Sequence, residues 1–362
     1  MSLKIVHCAD LHIGASFSYL SHDLAALRSE EIRCAFSEII NYSKARSVDA
    51  LLICGDLFDS PNPSKQDCDF VKNALESLYP IPVFIICGNH DYMCSDSPFL
   101  RQNYFPQNVH VFPCFDHSFN LPHKNAVITG KSYNSSSAEP SFENLNLDSN
   151  KINILCLHGD ITPSSDYNTI SKKVLSSLPC NYAAFGHIHS GEVFEVGNVK
   201  CAYSGAAEGH SFNDDGFTGF IYGEITSEKT ILTPVSLSKR HYRNISYDIS
   251  GKDSALIIKE LKDLINEKDL FRITLTGEYL SGEKISTVSI KEQLEKDAFY
   301  IDIFDESTQG YDFDQIEKEK SLRGEFLRSL RSLCESEEEY ILSAKAGLDA
   351  LSGKIPNIEC EL

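Results

Sequence analysis

The sequence predicts a mixed α/β protein with parallel strands, followed by a smaller α/β unit and a helical C-terminal region. Three observations carry this prediction. Over roughly the first 240 residues, short β-branched runs alternate with stretches of helical periodicity. From about residue 243 onward, several runs alternate apolar and polar residues with a period of two. Beyond residue 314, two apolar stripes recur at helical spacing.

Five runs read as buried strands: residues 4–9, 48–55, 81–88, 152–157 and 182–186. Between the first two, residues 24–46 place Leu27, Ile32, Phe36, Ile39 and Ile40 at helical spacing. Between the second and third, residues 65–78 do the same with Phe70, Val71, Leu75 and Leu78. Strand, helix, strand, helix, strand implies parallel strands joined by right-handed crossovers. Residues 132–150 are rich in Ser and Asn and read as a loop or edge excursion. Past Arg243, the alternations Ile245/Tyr247/Ile249, Phe271/Ile273/Leu275 and Phe299/Ile301/Ile303 give three half-buried strands, with helices over 254–268 and 287–297 between them. Together these form a βαβαβ unit. Residues 310–314 read as a linker. Leu322, Phe326, Leu330 and Leu333 then form one stripe and Ile341, Ala344, Leu348 and Leu351 another. The acidic break at 335–339 separates them, which predicts a helical hairpin. The expected divisions are 1–243, 244–308 and 309–362.

Composition sets outer bounds. With 42% hydrophobic and 23% charged residues among 362, the chain is globular rather than disordered. Apolar runs such as residues 50–54 fall far short of the ~18 residues that cross a bilayer. The N-terminus runs directly into a core strand without a signal-peptide pattern, so a soluble, cytoplasmic protein is expected. None of the twelve cysteines forms a Cys-x-x-Cys pair, and Cys54, Cys87 and Cys156 lie inside apolar runs. Reduced, buried thiols are expected. The net charge of −19 repels phosphate backbones at long range and argues against a stand-alone nucleic-acid binder.

The chemistry lies just past the C-terminal end of each of the five strands. They lead in turn into Asp10-Leu11-His12, Gly55-Asp56-Leu57-Phe58-Asp59, Gly88-Asn89-His90-Asp91, His158-Gly159-Asp160 and Gly186-His187-Ile188-His189. Taken singly, each has an ordinary reading. Asp10-x-His12 is a turn, Gly55-Asp56 a helix cap, Asn89-His90-Asp91 a turn of αL-tolerant residues, and His158 a core histidine. His187-x-His189 is stronger, because alternate residues of an extended segment face the same way. Five consecutive strand ends bearing Asp, Asn or His, without a thiolate, read together as a site for hard or borderline divalent cations at the strand crest. His7, His22, His110, His117, His123, His210 and His241 lack such context and are expected to be surface or core histidines.

These five motifs resemble those of the calcineurin-like metallophosphoesterase superfamily. The wording of Gly55–Asp59 and of Gly186–His189, and the run Tyr203-Ser204-Gly205-Ala206-Ala207-Glu208-Gly209-His210-Ser211-Phe212, resemble its DNA-repair nuclease branch, the SbcD-like subunits of SbcCD-type complexes. The resemblance implies an α/β/β/α double-sheet sandwich with a small α/β capping domain and a C-terminal helical hairpin. It implies two divalent cations, Mn²⁺ foremost with Fe, Zn, Ni or Mg as alternatives. One would be held by Asp10, His12, Asp56 and His189, the other by Asp56, Asn89, His158 and His187. His90 is then the catalytic non-ligand, a general acid or a stabiliser of transition-state charge. Asp91 is implied as a carboxylate orienting His90 or a ligand; Asp59 either serves similarly or caps the following helix. The implied activity is phosphodiester hydrolysis on DNA, exonucleolytic or endonucleolytic, beside an SMC-like ATPase of the SbcC type. Homodimer formation is compatible with this and membrane association is not expected. A phosphoesterase acting on nucleotides or other small phosphoesters is the alternative. A non-catalytic scaffold is disfavoured, because every ligand position is filled.

Overall fold

The computed structural model describes residues 2–137, 142, 145–162, 167, 170–214, 216–279 and 285–353. The chain forms two compact units, Met1–Tyr242 and Arg243–Leu362. In the first unit the order is β1 (Leu3–Cys8), α1 (His22–Ala45), β2 (Ala50–Cys54), α2 (Lys65–Glu76), β3 (Val83–Ile86), β4 (Val109–Val111), β5 (His117–Leu121), β6 (Ala126–Gly130), β7 (Ile152–His158), α3 (Lys172–Ser177), β8 (Tyr182–Gly186), β9 (Glu192–Val196), β10 (Val199–Tyr203), β11 (Gly219–Ile225) and β12 (Thr230–Ser236). The helices begin where polar caps permit: the Ser21 and Ser64 side chains accept from the Leu24 and Asp67 N–H groups at the starts of α1 and α2.

Two six-stranded sheets result, ordered β12-β11-β1-β2-β3-β4 and β5-β6-β7-β8-β10-β9. β1 to β4 are parallel, as are β6, β7, β8 and β10, with antiparallel strands at the margins. Period-two alternation decides the layers. Leu3, Ile5, Leu52, Cys54, Phe84 and Ile86 face Ile152, Ile154, Cys156, Tyr182 and Ala184 across the sheet–sheet core. The opposite face of the first sheet, with Val6, Cys8, Leu51 and Ile53, packs on Ile32, Phe36, Ile39 and Ile40 of α1 and Val71 and Leu75 of α2. Leu155, Leu157, Ala183 and Phe185 pack outward on Leu175 of α3. This is the α/β/β/α sandwich. Each fully buried Leu, Ile or Phe contributes about 1.5–3 kcal/mol of transfer free energy.

One expectation needs correcting. The five strand ends do not lie along one continuous crest: β1, β2 and β3 belong to one sheet and β7 and β8 to the other. Hydrophobicity is similar in both, and partner choice is made only when the inner faces meet. The described part of 132–150 contains neither helix nor strand; residues 138–141, 143 and 144 lie outside the described set.

The second unit has β13 (Tyr242–Asp248), which begins at the last residue of the first, then α4 (Ser254–Leu264), β14 (Leu270–Thr276), β15 (Glu278–Tyr279), α5 (Thr287–Leu294), β16 (Tyr300–Asp305), β17 (Thr308–Gln309), α6 (Phe313–Glu317), α7 (Leu322–Arg331) and α8 (Glu337–Leu351). A three-stranded sheet β13-β14-β16 packs Tyr247, Phe271, Ile273 and Ile301 on Ile257, Leu261, Ile290 and Leu294 of α4 and α5. α4 stops earlier than its apolar pattern suggests, because the Asn266 side chain accepts from the N–H groups of Lys268 and Asp269 and closes a turn. The 310–314 segment is not purely a linker, since Asp312 caps α6. The hairpin forms with Ala344 and Leu348 of the second stripe buried as expected, but the buried face of α7 is shifted from the first stripe. Leu327, Tyr340, Ala344 and Leu348 are buried with Ile316, whereas Leu322 and Leu333 are 73% and 75% exposed.

Candidate metal centre

The site is assembled by two turns that continue the strand pairing as the chain leaves β1 and β2. The Asp10, His12 and Ile13 N–H groups donate to the carbonyls of Gly55, Asp56 and Leu57. The two motifs are thereby locked side by side. Asp10, His12, Asp56 and His187 all adopt positive φ, at 51°, 44°, 50° and 90°. Such strain in non-glycine residues is sustained only where the surroundings over-determine it. Gly55 (φ 89°) and Gly88 supply the close approach: a Cβ on Gly55 would overlap the His158 ring, and one on Gly88 would overlap the Asp56 carboxylate.

Asp10, His12, Asp56 and His158 are buried. The Asp56 carboxylate is central. Its Oδ1 accepts from the His90 N–H at 2.8 Å, while its Oδ2 lies 3.3 Å from His158 Nε2 and 3.8 Å from His12 Nε2. Asn89 Oδ1 stands 2.9 Å from His158 Nε2 and 3.1 Å from His187 Nδ1. The His187 N–H donates to both Asp10 oxygens. His12 and His189 bring their Nε2 atoms to 3.2 Å of each other.

Each of those last two rings is held from behind. His12 Nδ1 is 3.1 Å from Asp59 Oδ1, and His189 Nδ1 is 3.1 Å from Asp214 Oδ1. With Nδ1–H donating to a carboxylate, Nε2 carries the lone pair. Two lone pairs at 3.2 Å repel unless a proton or a cation lies between them. The same holds for His158, whose Nδ1–H donates to the Cys54 carbonyl at 2.9 Å and leaves Nε2 facing Asn89 and Asp56. The side-chain protonation follows this crowding. Burial works against charge on His158 and His189, but Asp56 and Asp10 beside the first, and Asp214 beside the second, outweigh it and raise each to about 9. Burial pushes the Asp56 carboxyl up, yet His158, His12 and His90 reverse the shift and hold it down. A divalent cation held here would take the place of those protons, since metal ligands bind deprotonated. Three donor groups, Asp10/His12/His189, Asp10/Asp56/His158 and His12/Asp56/His90, each lie within 4.8 Å of one another. Oxygen and imidazole donors without thiolate fit hard or borderline dications.

His90 differs from the others. Its ring is largely exposed, edge-on to His12 with centroids 4.6 Å apart, and its Nδ1 is 3.4 Å from the Asp59 carbonyl. It borders a cavity of about 300 Å³ shared with His12, His189, His210, Phe17 and Tyr19.

These positions sharpen three sequence expectations, and for Asp59 they select one of the two alternatives. Asp91 is buried beneath the site, and its carboxylate accepts from the N–H groups of Gly88, Leu57 and Phe58. It therefore positions the two turns that carry the candidate ligands Asp56 and Asn89 and does not orient the His90 ring. Asp59 holds the His12 ring. His210, expected to be an ordinary surface or core histidine, lies 4.9 Å from the His12 ring and bonds the Asp10 carbonyl through Nε2 at 3.2 Å. Asp214 carries no signal in the sequence, because it meets His189 from 25 residues further along the chain through a fold-back that no local pattern encodes.

Residues 3–191 match the family model for calcineurin-like phosphoesterases. The chain belongs to that family. Members of this family use dinuclear metal centres, and the phosphoesterase presents a matching donor set. It is 28% identical over 242 residues to the uncharacterized metallophosphoesterase YhaO of Bacillus subtilis, covering 62% of this chain and 58% of that one. It is 24% identical over 321 residues to the DNA double-strand break repair protein Mre11 of Methanosarcina mazei, covering 80% of this chain and 47% of that protein. The phosphoesterase thus matches about half the length of these curated relatives. Among solved structures, a dimetal phosphatase from Danio rerio aligns with a TM-score of 0.46 at 10% identity, covering 65% of this chain and 97% of that one. Among the described residues, no helix is long and apolar enough to cross a membrane.

Proposed function

We propose that this phosphoesterase is a two-metal phosphodiesterase that hydrolyses DNA, with small phosphoesters as the competing substrate class. The reaction class rests on one observation: the His12 and His189 Nε2 atoms, each backed by a carboxylate, converge with Asp10, and Asp56 stands 3.8 Å from the same His12 nitrogen. Asp10, His12, Asp56 and His189 would hold one ion and Asp56, Asn89, His158 and His187 the other, with Asp56 shared. Two dications so held, Mn²⁺ foremost, would polarise a phosphoryl oxygen and lower the pKa of a water for attack. The chain's own groups do the rest. Asp56 sets its Oδ2 between His12 and His158 while the His90 N–H holds its Oδ1, and Asp91 clamps the two turns that carry Asp56 and Asn89. His90, on the exposed rim, faces the cavity and is placed to protonate the leaving oxygen or stabilise its charge.

DNA is favoured because similarity to the repair protein covers 80% of the chain and so runs beyond the Met1–Tyr242 unit into the C-terminal one. The acidic surface favours the alternative. Mn²⁺-dependent hydrolysis measured side by side on a DNA oligonucleotide and on bis-nitrophenyl phosphate separates the two. Cleavage of both is expected. Turnover of the small ester with intact DNA would replace the nuclease reading by the small-substrate one. We further propose that the exposed Leu322, Leu333, Leu342 and Leu351 of α7, α8 and their flanks dock on a coiled-coil segment of an ATPase partner by helix-in-groove packing. Free thiols at all eleven described cysteines suit a reducing, cytoplasmic setting.

A further inference from the structure

We infer that the loop 208–214 is a brace dedicated to one of the two ions, the one assigned to Asp10, His12 and His189, with Asp214 as its positioning residue. The inference rests on the ligand assignment proposed above. Asp214 is buried, and its two oxygens divide their work. Oδ1 accepts from His189 Nδ1 and from Ser211 Oγ, both at 3.1 Å; Oδ2 accepts from the His210 and Ser211 N–H groups at 2.6 and 3.1 Å. The carboxylate therefore ties the His189 ring to the loop's own backbone. From that backbone the His210 side chain returns to the site and bonds the Asp10 carbonyl. One short loop thus holds two of the assigned ligands of one ion.

The loop is anchored at its other end. Arg28, fully buried in α1, donates to Glu208 Oε1 at 3.0 Å and to the Gly209 carbonyl at 2.7 Å. Glu208 also accepts from the Lys239 and Arg240 N–H groups and from Ser238 Oγ. A guanidinium and a carboxylate buried and bonded to each other in this way hold their position, because breaking the pair strands a charge out of water. The remaining imidazole on this side, His12, has its own carboxylate, Asp59.

The ligands assigned to the other ion are held differently. His158 Nδ1 donates to a main-chain carbonyl at the end of β2, and His187 Nδ1 faces Asn89. Carboxylate-backed imidazoles are oriented and made more basic, and removing such a partner costs about 10–100-fold in metal affinity. Main-chain support has no side chain to remove. The two ions should therefore respond unequally to variants that touch no ligand.

The test is calorimetric Mn²⁺ titration of chelator-treated protein, with bound metal counted by elemental analysis. His189→Gln marks which of the two binding steps belongs to the braced ion. Asp214→Asn is expected to weaken that same step ~10–100-fold and leave the other unchanged, and Asp214→Glu to restore part of the loss. Asp59→Asn, at a more exposed residue, should weaken the same step and keeps the test open if Asp214→Asn does not fold. Equal weakening of both steps by Asp59→Asn or Asp214→Asn, or weakening of different steps by the two, overturns the brace. Fewer than two Mn²⁺ in the unaltered protein would instead overturn the ligand assignment itself, and the brace with it.

Discussion

The two units handle buried polarity in opposite ways. In Met1–Tyr242, Asp10, His12, Arg28, Glu31, Asp56, Asp91, His158, Glu208 and Asp214 are all buried. Among the described residues of the second unit, Asp269 is the only buried charged or polar side chain. Both units expose some apolar groups, Leu27, Leu100 and Phe115 in the first for example, but the second exposes more for its size, among them Val288, Phe304, Leu322, Leu333, Leu342 and Leu351. Burying an unpaired charge costs several kcal/mol, so the first unit accepts that cost only where networks or cations compensate it. The C-terminal unit has an ordinary apolar core and a surplus of surface hydrophobicity. The contrast separates a unit rich in buried charge from one whose polar groups stay at its surface.

Variants can break or sharpen this contrast. The largest effect is expected from Asp56→Asn, which removes the carboxylate shared by both assigned ion positions. Metal content should fall well below two per chain and hydrolysis by on the order of 10³-fold or more, the equivalent of several kcal/mol of transition-state stabilisation. Retention of two tightly bound ions would show that Asp56 is not shared. Next, His90→Asn should keep the metal content and lose ~10²–10⁴-fold in turnover, as for removal of a general acid or charge stabiliser. Loss of metal would make His90 a ligand.

Smaller changes are expected from the second unit, and they should leave the metal centre alone. Leu327→Ala empties a fully buried position between α6, α7 and α8 and should destabilise that layer by about 2–5 kcal/mol. Hydrogen exchange should then rise in residues 313–351 and not in β1 to β3; a parallel loss of bound metal would show that the units are not independent. Smallest of all, Leu322→Ser and Leu333→Ser should change stability by no more than about 0.5 kcal/mol, because both side chains are already in water. Chemical denaturation checks this. A loss of a kilocalorie or more would mean that these residues are covered within the chain and not free to dock.

By itself the sequence determined the local half of this protein. Strand and helix positions followed from periodicities of 2 and 3.6 and from serine and aspartate caps, all of which act within a few residues. The candidate ligands were legible for the same reason: each lies within a few residues of a buried strand's end, where the chain must turn. Tertiary structure decided the rest. Which strands share a sheet depends on how two equally apolar faces mate, so the division between β3 and β7 left no local trace. His210 and Asp214 are ordinary loop residues until the fold carries the first back 200 positions to the Asp10 turn and the second back 25 positions to His189. The buried face of the hairpin turned on small rotations: Phe326 packs so closely on Gly347 that a Cβ there would overlap its ring, which swings Leu327 inward and Leu322 and Leu333 out to solvent. A helical stripe fixes the face to within about one residue, or 100°, and only the neighbouring surface selects which side of it is buried.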